Sequence, residues 1–255
     1  MKNIEKLKKE FAELSAKEIV IKFGIDCERC ANDPVSCKAN CRGGNVQWLL
    51  HGSGPACKIV TWSGGTAEEI GKMIEAANDG EISLSDYWHI GDKRTVKTSA
   101  YTQVTLVLAD ETENGYVVVF DECAFIARMN VKDTNCGGYK KSRLAQLLID
   151  YYNLIGDTDV FKFFRQDIGG NYLLIPTEKQ IFGECKYSGD DGTEQFEYYK
   201  KNNNRIKKFE GSPHWWWLSS PRSGNSDYFC IVGSSGYAGH SSANGARGVA
   251  PFGRI

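Results

Sequence analysis

The sequence predicts an α+β fold with much irregular structure, on three observations. From Ile82 onward, short β-rich runs alternate with turn signals. Two stretches outside the N-terminus carry apolar residues at helical spacing behind good N-cap residues. The closing third is rich in Gly, Ser, Asn and aromatic residues with room only for short strands, and no internal repeat organises the 255 residues.

In chain order, Met1 to Glu18 alternates charges with Ile4, Leu7, Phe11 and Leu14 at helical spacing, which predicts an amphipathic helix running to about Phe23 and stopped by Gly24. A cysteine cluster follows, then Val46-Gln-Trp-Leu-Leu50 and a Gly/Ser/Pro break from His51 to Pro55. Thr66-Ala-Glu-Glu69 has the form of a capping box, and Ile70, Met73, Ile74 and Ala77 make one stripe, so residues 67–78 are expected to be helical up to Asn78-Asp-Gly80. Asp86 to Lys97 reads as a turn with Gly91-Asp92 at its tip, leading into an alternating strand. Residues 101–109 and 115–121 form two strands around the Asn114-Gly115 hairpin signal. Ser142 is the expected N-cap of a helix with Leu144, Leu147, Leu148 and Tyr151 on one side, and Tyr172-Leu-Leu-Ile-Pro176 is a further expected strand. Residues 1–65 make a small helical, Cys-containing appendage with too little apolar material to stand without metal or docking, and residues 66–255 make the main domain.

Composition excludes several functions. With 31 basic and 32 acidic side chains the formal charge is -1, which offers no footprint for duplex nucleic acid or an anionic membrane. No apolar run approaches the roughly 18 residues of a membrane span, and the opening helix lacks the apolar stretch of a signal peptide. Cytoplasmic synthesis without a cleaved signal is expected, for a host protein or a virion component such as a phage tail. The helix from Met1 to Phe23 could also pair with another chain, leaving an oligomer open.

Nine cysteines in a reducing compartment do not suggest a disulfide framework. Cys27 with Cys30 and Cys37 with Cys41 form two short thiolate pairs able to close on one tetrahedral zinc, Cys57 being an alternative to one of them. An iron–sulfur cluster, a redox pair and free thiols are the other readings of the same spacing. Cys123, Cys136, Cys185 and Cys230 are isolated and read as small buried hydrophobes. His51, His89, His214 and His240 sit in no recognised catalytic context, so no catalytic residue is expected.

The strongest anomaly is local. All 53 Lys, Glu, Gln, Met and Trp residues lie within the first 217 positions, and none lies between Leu218 and Ile255. The upstream frequency predicts roughly nine there.

The landmarks Asp86-Tyr-Trp-His-Ile-Gly-Asp-Lys-Arg94, Asn135-Cys-Gly-Gly-Tyr139, Leu174-Ile-Pro-Thr-Glu-Lys-Gln-Ile-Phe182, Trp215-Trp-Trp-Leu-Ser-Ser-Pro221 and Gly248-Val-Ala-Pro-Phe-Gly253 follow one another as in a large bacterial and phage family. Over about residues 81–255 the chain resembles the C-type lectin fold in its formylglycine-generating-enzyme variety. The tail, with Phe229-Cys-Ile-Val232, its Gly/Ser/Asn-rich middle and its Gly-Val-Ala-Pro-Phe-Gly ending, resembles the variable proteins of diversity-generating retroelements. In that family a reverse transcriptase randomises adenines in a template copy that then replaces the gene's end. Its favoured target is the Asn codon, and randomising the first two bases reaches every amino acid except Lys, Glu, Gln, Met and Trp. The same five are missing here. Turn chemistry alone also depletes Lys, Glu and Met from Gly/Ser/Asn-rich loops, so an undiversified relative, an adhesin or carbohydrate-binding lectin of fixed specificity, is the alternative.

The resemblance implies a non-enzymatic protein that binds a protein or glycan ligand through its tail. Period-2 alternation with Val232 inward exposes Ile231, Gly233, Ser235 and Tyr237. Arg222, Gly224, Asn225, Asp227 and Tyr228 on one side, and Gly239, His240, Ser242, Asn244, Ala246 and Arg247 on the other, complete a surface whose mixture of Tyr, Arg, His, Asn and Ser resembles a paratope. Trp215 to Trp217, Pro221, Phe229, Val249, Pro251 and Phe252 are the expected scaffold. At least one of the three tryptophans must be buried, and stacking on a sugar is the alternative use of the others. Gly189-Asp-Asp-Gly192 carries too few carboxylates for calcium and reads as a solvated loop. The sulfatase-modifying enzymes of the fold use two cysteines around copper in this region, whereas the tail holds only Cys230.

Overall fold

The computed structural model describes residues 66–98, 103–113, 115–156, 158–167 and 169–255. The chain divides into two units, Met1–Ser63 and Gly64–Ile255. The expected N-terminal helix, the Val46 to Leu50 run and Cys27, Cys30, Cys37, Cys41 and Cys57 lie outside the described residues.

Helix α1 spans Ala67–Asn78. Thr66 Oγ1 accepts from Glu69 N at 3.2 Å while the Glu69 carboxylate accepts from Thr66 N at 3.1 Å, the reciprocal capping box. Ile70, Met73 and Ile74 are buried, and Ala77 is half-buried at the margin of the stripe. Trp88, wholly buried, donates its indole N–H to Asp92 O at 2.8 Å, and this fixes the turn that feeds β1, Lys93–Lys97.

Strands β2, Gln103–Thr112, and β3, Gly115–Phe120, form the hairpin with Thr112 paired to Gly115. The strand therefore runs three residues beyond the expected Ala109, past a register shift between Leu108 and Asp110. Gly115 sits at φ 105, and a Cβ there would stand 2.5 Å from Ile255 O, so only glycine fits both the turn and the neighbour. β4 is Phe125–Arg128. α2, Arg143–Ile155, starts at Ser142, whose hydroxyl accepts from Ala145 N, and buries Leu144, Ala145, Leu148 and Ile155, with Leu147 and Tyr151 half-buried.

The Tyr172 to Pro176 segment forms no strand. Leu174 alone pairs, exchanging two bonds with Phe252 at 2.8 and 2.9 Å, because Pro176 offers no N–H and Thr177 already caps α3, Glu178–Phe182. The remaining strands are β5 (Lys207–Phe209), β6 (Ser212–His214), β7 (Trp216–Pro221), β8 (Tyr228–Val232), β9 (Ala238–Ser242), β10 (Ala246–Val249) and β11 (Phe252–Arg254).

The result is a mixed α+β domain, mostly sheet, with no closed barrel among the described residues. One sheet has the order β1-β2-β3-β11, a second β4-β10-β7-β8-β9, and β5 pairs with β6 alone. Within the second sheet β10 runs parallel to β7 and the other pairings are antiparallel. Val107, Val119 and Phe252 of the first sheet share one core with Trp216, Leu218, Cys230 and Val232 of the second. On the first sheet's other face, Phe120 packs against Phe161 and Tyr151 of α2 at centroid distances of 6.1 and 6.4 Å. Both faces of that sheet are therefore covered, which is why β3 reads as an unbroken apolar run. No described helix is long and apolar enough to cross a membrane.

Candidate ligand-binding surface

β8 lies between β7 and β9, so its two faces meet different surroundings. Register pairs share a face: Tyr228 with Ser242, Cys230 with His240 and Val232 with Ala238 on one, Phe229 with Ser241 and Ile231 with Gly239 on the other. Val232 faces the core, as expected. Ile231 does not reach solvent: at 2% exposure opposite the buried Trp217, it belongs to the scaffold. Alternation places a residue on a face, but only the order of the strands, a non-local property, decides whether that face is covered.

The other residues of the expected surface fall into two groups at opposite ends of β8. Four strand steps separate Tyr228 from Val232, about 14 Å at ~3.4 Å each. The first group sits where the chain turns from β7 into β8. Arg222 N donates to Tyr228 O at 2.9 Å, closing a loop that holds Gly224, Asn225 and Asp227. His240 stacks on Tyr228 at 5.3 Å with 13° between planes, and meets Tyr187 edge-on at 5.1 Å. The Arg222 guanidinium lies 5.7 Å over the Tyr228 ring and 3.4 Å from His240 Nδ1, and Lys186 lies 5.3 Å over Tyr187. Partial burial, and then the Arg222 charge, hold the His240 imidazole below its ordinary value, so the ring favours its neutral form. Ser242 bonds to Asp133 and, at 2.8 Å, to the exposed Asn244.

The second group gathers at the β8–β9 turn. Gly233, Ser235 and Tyr237 lie there, Tyr237 being 67% exposed. Trp215 precedes β7, is 47% exposed, and directs its indole nitrogen toward Ser234 Oγ at 3.3 Å. Arg247 joins it, guanidinium 5.2 Å over the Trp215 ring, with exposed Ala246 alongside. Trp216 and Trp217 are wholly buried on opposite faces of β7, each donating to a backbone carbonyl, Arg205 O at 3.0 Å and Ala127 O at 2.9 Å. Gly239 lies on the Ile231 face, where a Cβ would stand 3.4 Å from Ile231 Cγ1. Gly224 at φ 71 has open space around it, so its backbone rather than its neighbours limits which residues it accepts.

What holds the first group in place comes from outside the tail. Asn135 donates from one amide group to Asn225 O at 2.6 Å and Tyr228 O at 3.0 Å, and its own N–H donates to Ser226 O at 2.6 Å. Ala243 N bonds Asp227 O at 2.8 Å and Asn130 N bonds Ala243 O at 2.9 Å. Behind the group, the fully buried Glu178 carboxylate accepts from Tyr187 N, Ser188 N and Ser188 Oγ, with Cys230 Sγ at 3.6 Å. Burial pushes the Cys230 thiol well above its ordinary value, reinforced by Glu178. Cys185, far away in sequence, is among the groups whose charge acts on it.

Cys123 and Cys230 are buried as expected, whereas Cys136 is exposed and Cys185 half-buried, because both lie in loops. The carboxylates of Asp190 and Asp191 are taken up by Lys179 at 2.6 Å and Thr193 Oγ1 at 2.6 Å. Among the described residues no group of three His, Cys, Asp or Glu side chains is placed to hold a metal. Tyr187 and Lys186 are parts of the surface that sequence reasoning missed; the aromatic Tyr187 two residues beyond Cys185 was the available signal.

Residues 171–253 match the family described as a domain of unknown function (DUF6273). Neither the curated proteins nor the solved structures include a match to this chain.

Proposed function

We propose that the protein is a non-enzymatic ligand-binding protein of phage or bacterial origin, built on a C-type lectin scaffold of the formylglycine-generating-enzyme type, whose C-terminal surface is diversified by a retroelement. The observation that carries the reading is how the tail is held. Its loop is anchored through main-chain atoms, to the Asn135 amide and to neighbouring backbone, while Arg222, His240 and Asn244 make few side-chain bonds that the fold depends on. Such an arrangement tolerates side-chain replacement, as loops on a rigid sandwich do. The missing Lys, Glu, Gln, Met and Trp after Trp217 supports the same reading. A thiol held protonated at Cys230, bonded to a buried carboxylate, supports a binding role over nucleophilic chemistry.

Sequencing the locus tests diversification directly. The expected result is a nearby reverse transcriptase gene and a repeat of the final hundred or so bases differing at adenines; a locus with neither overturns it. The four cysteines Cys27, Cys30, Cys37 and Cys41 are proposed to bind a structural zinc.

A further inference from the structure

We propose that the Arg222 group is a seat for carboxylates, and that the partner it fits is an acidic segment of a protein. The inference rests on the ligand-binding reading above and names the ligand chemistry of the same surface. Three observations carry it.

The first is uncompensated charge. Between Leu218 and Ile255 there are three arginines, one aspartate and neither lysine nor glutamate, in a chain whose formal total is -1. The tail is thus positive against an acidic remainder, and of its three arginines Arg222 is the one in this group, Arg247 standing over Trp215 in the other and Arg254 in β11. The second is local. No carboxylate among the described residues lies within 4.0 Å of Arg222 or of Lys186. Arg222 instead rests on the Tyr228 ring and His240, so its planar fork is oriented without its donors being consumed by an acid. The nearest buried carboxylate, Glu178, is saturated by Tyr187 N, Ser188 N and Ser188 Oγ and is turned inward.

The third observation separates anions from neutral sugars. Sugar hydroxyls need acceptors as well as donors and an open aromatic face. Here Arg222 and Lys186 donate only, the carboxylates of the group are already engaged, Asp227 by Ser226 Oγ at 2.6 Å and Asp133 by Ser242 Oγ, and Tyr228 and Tyr187 both have His240 against them. A ligand rich in acceptors is what this set lacks. The Tyr, Arg, Ser and Asn composition around the seat is that of surfaces that bind protein rather than polysaccharide.

The experiment uses the full chain and three labelled probes at low ionic strength: hexaglutamate, hexaglutamine and a hyaluronan octasaccharide, read by fluorescence anisotropy. Hexaglutamate is expected to bind at least about tenfold more tightly than hexaglutamine, the scale of one charge-assisted hydrogen bond. Arg222→Gln should erase that preference, while Lys72→Gln, on the exposed face of α1 and paired there with Glu68, should leave it unchanged. Should Arg222→Gln lower thermal stability, the wild-type preference must still collapse between about 0.05 and 0.3 M salt. Equal affinity for the two peptides, equal loss in both variants, or preference for hyaluronan overturns the proposal. Panning a random displayed-peptide library on wild type and Arg222→Gln separates the two levels of inference. Acid-rich winners lost in the variant support the seat. Tail-dependent winners without acidic bias overturn it and leave the binding reading standing, and the absence of any tail-dependent winner overturns both.

Discussion

Asn135→Ala removes one side chain from outside the tail and with it two hydrogen bonds, to Asn225 O at 2.6 Å and Tyr228 O at 3.0 Å. A net contribution of about 1 kcal/mol each gives about 2 kcal/mol. For a unit of this size, roughly 2–4 °C per kcal/mol, the melting temperature should fall by about 4–8 °C. The comparison set is Arg222→Ser, His240→Ser and Asn244→Ser, all within the tail, each expected to stay within about 0.5 kcal/mol of wild type. Thermal unfolding with circular dichroism, repeated in urea, measures all four. A tail held mainly through its backbone, its side chains contributing little, requires that ordering; a cost below about 0.5 kcal/mol for Asn135→Ala, or serine variants that match it, refutes the picture.

Lys207 is 1% exposed, donates to Phe120 O at 2.6 Å and lies between 5 and 6 Å from the Tyr198 and Tyr199 rings; burial brings its ammonium down to about 8 from 10.5. The folded chain then releases its proton before the unfolded chain does. Relative to Lys207→Met, wild-type stability should rise by about 3 kcal/mol as pH climbs from 8 to 10.5, and a flat difference in urea midpoints across that range contradicts it. In Arg222→Gln the His240 imidazole should titrate at higher pH than in wild type, read from its ring protons by NMR; no shift removes Arg222 as a cause. A colorimetric thiol reagent should label Cys136 in the native protein and reach Cys123, held at about 12 by burial, and Cys230 only on unfolding. Stoichiometric zinc in protein purified under reducing conditions, lost when Cys27 and Cys30 are changed to Ser, is expected from the two thiolate pairs.

The local elements were legible because their signals are local. Thr66 with Glu69, Ser142 with Ala145 N, and the glycine at 115 each satisfy or permit a backbone group within a few residues, and each sits where the spacing predicted. What depends on the order of strands was not legible. Ile231 alternates correctly and is still buried, because the strand order sets it beside the buried Trp217 of β7 on the same face. The three tryptophans divide into two buried and one exposed because β7 begins at Trp216, not Trp215. The expected surface resolves into two groups for the same reason: a strand has two ends, and the sequence between Arg222 and Arg247 visits both. Asn135, 90 residues from the Asn225 carbonyl it holds, and Glu178, 52 residues from the Cys230 thiol that donates to it, give no sign of that role in their own neighbourhoods.

β11 returns from the tail to pair with β3, matching Phe252 with Val119 and Arg254 with Val117, and Tyr116 and Ile255 exchange two bonds of 3.0 Å beyond it. The interval from Leu218 to Val249 is thus followed by a segment on which the first sheet and the shared core depend. A message carrying a stop or a shifted reading frame in that interval yields a chain without Phe252, with the β3 edge bare and the core open. Completion of the chain is therefore a condition of folding: a product cut short or shifted in frame within that interval forfeits the domain and becomes a substrate for proteolysis.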